Sequence, residues 1–341
     1  MEPEVSSHPE VTLTPTPAAV EPPRSGLRNV FVGRRGIRAG WRFFLFLVLV
    51  FGITFVAGSV IRVLTHGAPM RMTALTPAQL SMSEGLSLLV TCLATWIMMR
   101  IERGKWGRYG LPLRAFWRGH LVEGAAGGFL AISAVLLVMF LLHGFSITGV
   151  ATHGTTLLWS LLAWSLGFLL VGLAEEFAFR GYAQYSLSQG IGFWPAAVVM
   201  SGMFGLAHWG NNGETKWGLL SVVCFGLLFC LFLRRMGNLW WAVGFHAGWD
   251  WGQTFFYGVP DSGMLATHNF LTSSFHGPTW ITGGSVGPEA SVFTPVVLGV
   301  TALLFSLRHR EVKYRPAADF EPERQVAAAE LMAGAPVAGG D

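Results

Sequence analysis

The chain has 341 residues, of which 52% are hydrophobic and only 12% are charged. This composition leaves too few polar side chains to cover a water-soluble surface, so it excludes a soluble globular protein and indicates an integral membrane protein. The formal net charge of +4 comes largely from short basic loops between apolar segments, which is typical of membrane topology rather than of nucleic-acid binding.

Eight apolar segments predict membrane helices, because a hydrocarbon core of roughly 30 Å needs about 20 apolar residues per helix. They occupy residues 41–64, 85–99, 122–143, 157–174, 194–208, 217–233, 239–256 and 292–307. The predicted fold class is therefore all-α, a polytopic transmembrane bundle of about eight helices.

The distribution of Lys and Arg predicts the topology, since basic residues in short loops favour the cytoplasm. Basic residues precede the first segment and follow the second, sixth and eighth, whereas residues 258–289 contain no Lys or Arg. Both termini are therefore expected in the cytoplasm, and 258–289 is expected to form an external loop. This loop is either a lid or a structured connector, and it carries His268 and His276.

The two ends of the chain have too few apolar residues to build a core. Residues 1–28 and 316–341 are predicted to be disordered cytoplasmic tails of a transmembrane domain that spans 29–315. We expect a multi-pass protein of the cell (inner) membrane, in contact with membrane lipids and with no nucleic-acid partner.

Two glutamates and an arginine follow the fourth apolar segment in the stretch AEEFAFR. If the helix continues through Arg180, the i,i+4 spacing pairs Glu176 with Arg180 on one face. Glu175 then lies about 100° round the helix among apolar neighbours and needs a partner elsewhere. In the alternative interpretation, the helix ends near Ala174 and these residues form a solvated helix terminus.

Two later segments carry histidines. His208 follows Phe204 by four residues in FGLAH, where a lone histidine is most often a packing residue. His246 and Asp250 are i,i+4 in GFHAGWDWG, so the carboxylate can accept a hydrogen bond from one ring nitrogen. Glycines at 244, 248 and 252 form a small-residue ridge about 200° from that face, which predicts close helix packing on the opposite side.

Ionisable groups inside a membrane usually face a bundle interior or a water-filled cavity. Carboxylates and imidazoles on three helices are suited to hydrolysis, with a carboxylate as general base and histidines that stabilise an oxyanion. They are equally suited to proton relay in an ion-coupled transporter, and a non-catalytic membrane scaffold is a third interpretation. Composition and spacing leave these alternatives open.

The three motifs AEEFAFR, FGLAH and HAGWD resemble, in order and spacing, the E-E-x-x-x-R, F-x-x-x-H and H-x-x-x-N/D motifs of the CPBP family. This is the family of CAAX-protease and bacteriocin-processing (Abi) intramembrane proteases, and the resemblance extends over roughly residues 157–307. The stretch GGSVGPEAS also resembles a segment of some members, although Glu289 within it is equally consistent with an acidic residue at a helix N-terminus.

The resemblance implies an intramembrane endopeptidase that acts on a peptide or protein, lipidated in some uses of the family. It implies that Glu175 activates water with the help of His208, and that His246 and Asp250 orient the substrate or stabilise the oxyanion. Glu176, Arg180 and Phe204 would then be supporting residues.

A divalent metal such as zinc is an open expectation, with Glu175, His208, His246 and Asp250 as candidate ligands. One difficulty is that the predicted helix limits place His208 at a different depth in the membrane from Glu175 and His246.

Overall fold

The structure is a computed structural model that describes residues 26–33, 36–66, 75–211 and 213–316. The predicted tails, residues 1–28 and 316–341, lie outside these ranges except for 26–28 and Pro316. The chain divides between Arg38 and Ala39 into two compact units.

The described part of the smaller unit contains one short helix and one small sheet. Helix α1 (Gly26–Phe31) precedes strand β1 (Val32–Gly33), which pairs antiparallel with β2 (Gly36–Ile37).

The larger unit is mostly helical. Its α-helices are α2 (Ala39–Leu64), α3 (Pro77–Glu102), α4 (Leu113–Phe116), α5 (His120–Leu141), α6 (Gly154–Arg180), α7 (Tyr182–Ile191), α8 (Phe193–Ala207), α9 (Lys216–Met236), α10 (Trp240–Asp250), α11 (Thr279–Thr282) and α12 (Phe293–Arg308). A π-helix, Trp251–Phe256, continues α10, and two short 3₁₀ turns lie at Trp106–Tyr109 and Pro288–Ala290.

Five stretches among the described residues are long and apolar enough to cross a membrane, as expected of a multi-pass membrane protein. They are Ala39–Leu64, Pro77–Glu102, His120–Leu141, Gly154–Ile191 and Lys216–Met236. All eight predicted segments are helical, but α8 and α12 have only 15 and 16 residues. At about 1.5 Å per residue they are shorter than a hydrocarbon core of roughly 30 Å.

The predicted seventh helix is two helical segments. An α-helix ends at Asp250, and the π-helix begins at Trp251. The wider turn of a π-helix changes the direction of the side chains that follow it, and such turns are frequent at functional sites.

The structure contains β-strands, which the all-α prediction does not include. Strand β3 (Phe145–Val150) joins α5 to α6 and pairs antiparallel with β4 (Leu271–Phe275). A further bridge joins Leu75 to Ala266, and a ring nitrogen of His276 lies 3.0 Å from Oγ of Ser146. The predicted external loop, residues 258–289, is therefore a structured connector.

Glycines allow α10 to lie in close contact with two helices. A Cβ at Gly248 would overlap the carbonyl oxygen of Ala125 in α5, and one at Gly244 would overlap that of Leu121. On the side of α6, a Cβ at Gly172 would lie 2.7 Å from the carbonyl oxygen of Val243. The predicted small-residue ridge of α10 is confirmed, and it packs against α5.

The substitution Gly248→Ala is expected to destabilise the protein by about 1–3 kcal/mol, because the added methyl group forces α5 and α10 apart. Thermal unfolding in detergent measures the effect. Gly52→Ala in α2 is the matched control, since nothing lies within 4 Å of a Cβ at Gly52 and alanine favours a helix. A Gly248→Ala protein that unfolds at the wild-type temperature would contradict the close-packing assignment.

Candidate active site

Glu176 and Arg180 form a buried ion pair on α6, as the i,i+4 spacing predicts. Nη1 of Arg180 lies 3.3 Å from Oε1 of Glu176, and both side chains are fully buried. Helix α6 continues through Arg180, so the interpretation of a solvated helix end near Ala174 is wrong. An unpaired buried charge is strongly destabilising, and each residue of this pair compensates the other.

His246 of α10 lies between carboxylates of two helices. Its Nδ1 donates a hydrogen bond to Oε1 of Glu176 at 3.1 Å. Its Nε2 lies 3.7 Å from Oε2 of Glu175 and 3.5 Å from Oδ2 of Asp250. His246 on α10 is thus the partner that the position of Glu175 on α6 requires. Glu176 makes the shorter contact with the imidazole, a role that the sequence spacing assigned to Asp250.

His208 is the C-cap residue of α8, directly after the helix ends at Ala207. Its Nδ1 donates to the carbonyl oxygen of Phe204 at 2.8 Å, which leaves Nε2 as the acceptor in the neutral ring. The ring of Phe204 lies 4.7 Å from that of His208 and 6.3 Å from that of His246, centroid to centroid. The guanidinium of Arg180 lies over the same phenyl ring at 4.2 Å. Phe204 therefore packs between the two histidines and the buried ion pair.

Glu175, His208, His246 and Asp250 all line one cavity of about 750 Å³. Its walls are formed mainly by α2, α3, α6, α8, α9 and α10. The difference in depth that the predicted helix limits give does not keep His208 away from the other three residues, because all four line the same cavity.

A cluster of three carboxylates extends this cavity. Ligand oxygens of Asp250, Asp261 and Glu289 all lie within 4.8 Å of one another. Oε2 of Glu289 accepts hydrogen bonds from the backbone N–H and the hydroxyl of Ser262. Nε2 of Gln253 donates to the other oxygen of Glu289 at 3.3 Å, so the π-helix holds the loop carboxylate in place.

Burial raises the pKa of two carboxyl groups in this cluster, those of Asp261 and Glu289. Burial, with the charge of Asp261 adding to it, raises the pKa of Glu289 to about 8. Burial likewise raises the pKa of Asp261, against the effect of the hydrogen bond from Thr254. At neutral pH the carboxyl of Glu289 therefore retains its proton or requires a cation.

Residues 156–252 match the family model described as type II CAAX prenyl endopeptidase Rce1-like. This matched segment includes all three motifs. The chain contains a domain of this family. The match covers less than half of the chain, and neither a curated protein nor a solved structure matches it.

The carboxylate cluster at the edge of the family domain could hold a metal ion. It is the one three-ligand group among the described residues, and of the predicted ligands it includes only Asp250. Its donors are all oxygens, which suit Mg²⁺, Ca²⁺ or Mn²⁺ better than zinc. The donor set therefore fits a hard divalent cation.

Three carboxylates of the cavity lie outside the family domain, and the sequence analysis did not assign them to the site. Glu289 was interpreted as an acidic residue at a helix N-terminus, yet α12 begins only at Phe293. Asp261 lies on an irregular loop, and Glu84 is one of two carboxylates in α3, the other being Glu102 at the end of the helix. A buried or cavity-lining acid in a membrane protein is itself a signal of function, but the sequence gives no spacing that places these three beside the motifs.

Glu176→Gln is expected to destabilise the protein by about 3–5 kcal/mol, because it leaves Arg180 buried without a counter-charge. Thermal unfolding in detergent is the measurement, and Glu175→Gln is the matched control on the adjacent residue. Glu175 is 28% exposed and pairs with no arginine among the described residues, so this control should unfold near the wild-type temperature. Equal unfolding temperatures for the two variants would show that Glu176 is not the structural counter-charge.

Proposed function

We propose that this protein is an intramembrane endopeptidase of the cell membrane that hydrolyses peptide bonds with a glutamate-activated water. The observation that carries the proposal is the position of Glu175, whose Oε2 faces Nε2 of His246 at 3.7 Å in the wall of the cavity. This pair lies inside the segment that matches a prenyl endopeptidase family.

Glu175 is proposed as the general base. Its Oε2 is a buried oxygen that accepts no hydrogen bond from the described residues, so it has acceptor capacity for a water molecule that enters the cavity. The carboxylate takes a proton from that water, the hydroxide adds to the peptide carbonyl carbon, and a tetrahedral oxyanion forms. The protonated Glu175 then gives its proton to the leaving amine, which completes the hydrolysis.

His208 is proposed to assist Glu175. Because its Nδ1–H is held by the carbonyl oxygen of Phe204, its Nε2 can accept a hydrogen bond from the attacking water. The backbone contact keeps the ring in one tautomer and one orientation.

His246 and Asp250 are proposed to hold the substrate and the oxyanion. In its imidazolium form, His246 donates its Nδ1–H to Glu176 and can donate its Nε2–H to the oxyanion. Ionised Asp250 can only accept hydrogen bonds, so its role is to orient His246 or a substrate N–H. Glu176 and Arg180 support the site without touching substrate.

A divalent cation is compatible with this chemistry. Asp250, Asp261 and Glu289 would hold a hard cation, while zinc would require the predicted set of Glu175, His208, His246 and Asp250. A bound metal ion would polarise a carbonyl group or acidify water. The steps assigned to Glu175 and His208 do not depend on it.

Cleavage of a peptide library by the purified protein tests the proposal. Glu175→Gln is expected to lower the cleavage rate by roughly 10²–10⁴-fold, the usual contribution of a general base. Glu123→Gln, an exposed carboxylate on α5 outside the cavity, is the matched control and should cleave like wild type. Parallel reactions with a chelator, followed by addition of Zn²⁺ or Mg²⁺, show whether a metal contributes.

Wild-type activity in the Glu175→Gln protein would reject the proposed base. If folded wild-type protein cleaves no peptide, the result would instead favour an ion-coupled transporter or a membrane scaffold.

A further inference from the structure

Most of the titratable groups that line the cavity are acidic. Five carboxylates line it, whereas no Lys or Arg among the described residues does so. The carboxylates are Glu84, Glu175, Asp250, Asp261 and Glu289. Two imidazoles are the only cationic groups that the described lining can offer. Clefts lined by one sign of charge concentrate ligands of the opposite sign.

Glu84 is the carboxylate that the proposed chemistry does not use. It lies on α3, outside the segment that matches the endopeptidase family, and interacts electrostatically with Glu175 and His246. Its described hydrogen-bond donor is the neighbouring Ser83 hydroxyl at 3.4 Å, and no described Lys or Arg pairs with it. A carboxylate in this position has acceptor capacity left for a ligand.

Most of the remaining lining of the cavity is apolar. Its lining includes Phe46, Leu47, Val50 and Phe51 from α2, and Met200 and Met203 from α8. The cavity therefore combines apolar walls with acidic groups around the candidate base. A volume of about 750 Å³ lies within the range of sites that enclose a ligand, roughly 300–1,000 Å³, and is suitable for a short peptide segment.

We propose that Glu84 determines substrate specificity, by accepting hydrogen bonds from a Lys or Arg side chain near the scissile bond of an otherwise apolar peptide segment. This inference rests on the proposed endopeptidase function.

A matched peptide series tests the inference. One apolar peptide carries Lys, norleucine or Glu near the cleavage site. Wild-type protein is expected to cleave the Lys peptide about tenfold more efficiently than the norleucine peptide, the effect of one charge-assisted hydrogen bond.

Variants assign the preference to Glu84. In Glu84→Gln the ratio of Lys to norleucine cleavage should fall to about one, and in Glu84→Lys the Glu peptide should become the better substrate. Glu123→Gln should keep the wild-type ratio. A wild-type ratio near one, or a tenfold ratio that persists in Glu84→Gln, would overturn the inference.

A binding measurement separates this inference from the proposed function. Fluorescence anisotropy of the same labelled peptides, with Glu175→Gln protein in the presence of a chelator, reports recognition without cleavage. Tighter binding of the Lys peptide that disappears in the Glu175→Gln, Glu84→Gln double variant supports Glu84 even if no peptide is hydrolysed. Equal binding of the Lys and norleucine peptides by Glu175→Gln rejects Glu84 as the determinant, whether or not wild-type protein is a protease.

Discussion

The site depends on one buried carboxylate, that of Glu176. It accepts hydrogen bonds from Arg180 on its own helix and from His246 on α10. Inside a membrane protein an unpaired charge is expensive, so the relative positions of α6 and α10 are restricted to those in which these contacts form. Glu175 is the next residue on α6, and its position opposite His246 follows from the same contacts.

Glycine contacts provide the other half of this restriction. Because Gly244 and Gly248 bring the backbone of α10 against α5, the opposite face of the helix is fixed in its rotation and carries His246 and Asp250 toward α6. Van der Waals packing of small residues is a principal source of helix association where lipid removes the hydrophobic driving force. Packing on one face of α10 thus orients the polar groups on the other.

The sequence predicted features that follow from the geometry of a single helix. It did not predict contacts that depend on how two helices pack against each other. The pair of Glu176 and Arg180 follows from a separation of four residues, and so does the glycine ridge of α10. The contact between Glu176 and His246 joins residues 70 apart in the chain, and its existence depends on how α6 and α10 approach each other. Asp261 reaches the site on an irregular loop, where no periodicity indicates the direction of a side chain.

The short length of α8 has a consequence for the surrounding lipid. Its 15 residues span about 22 Å, while large apolar side chains such as Trp194, Val198 and Leu206 remain exposed on its surface. A helix of this length that lies in a bilayer requires the adjacent lipid to become thinner or the flanking residues to reach toward the headgroups. Since His208 caps α8 and lines the cavity, the end of this short helix lies beside the place where a hydrolase would need its second substrate, water.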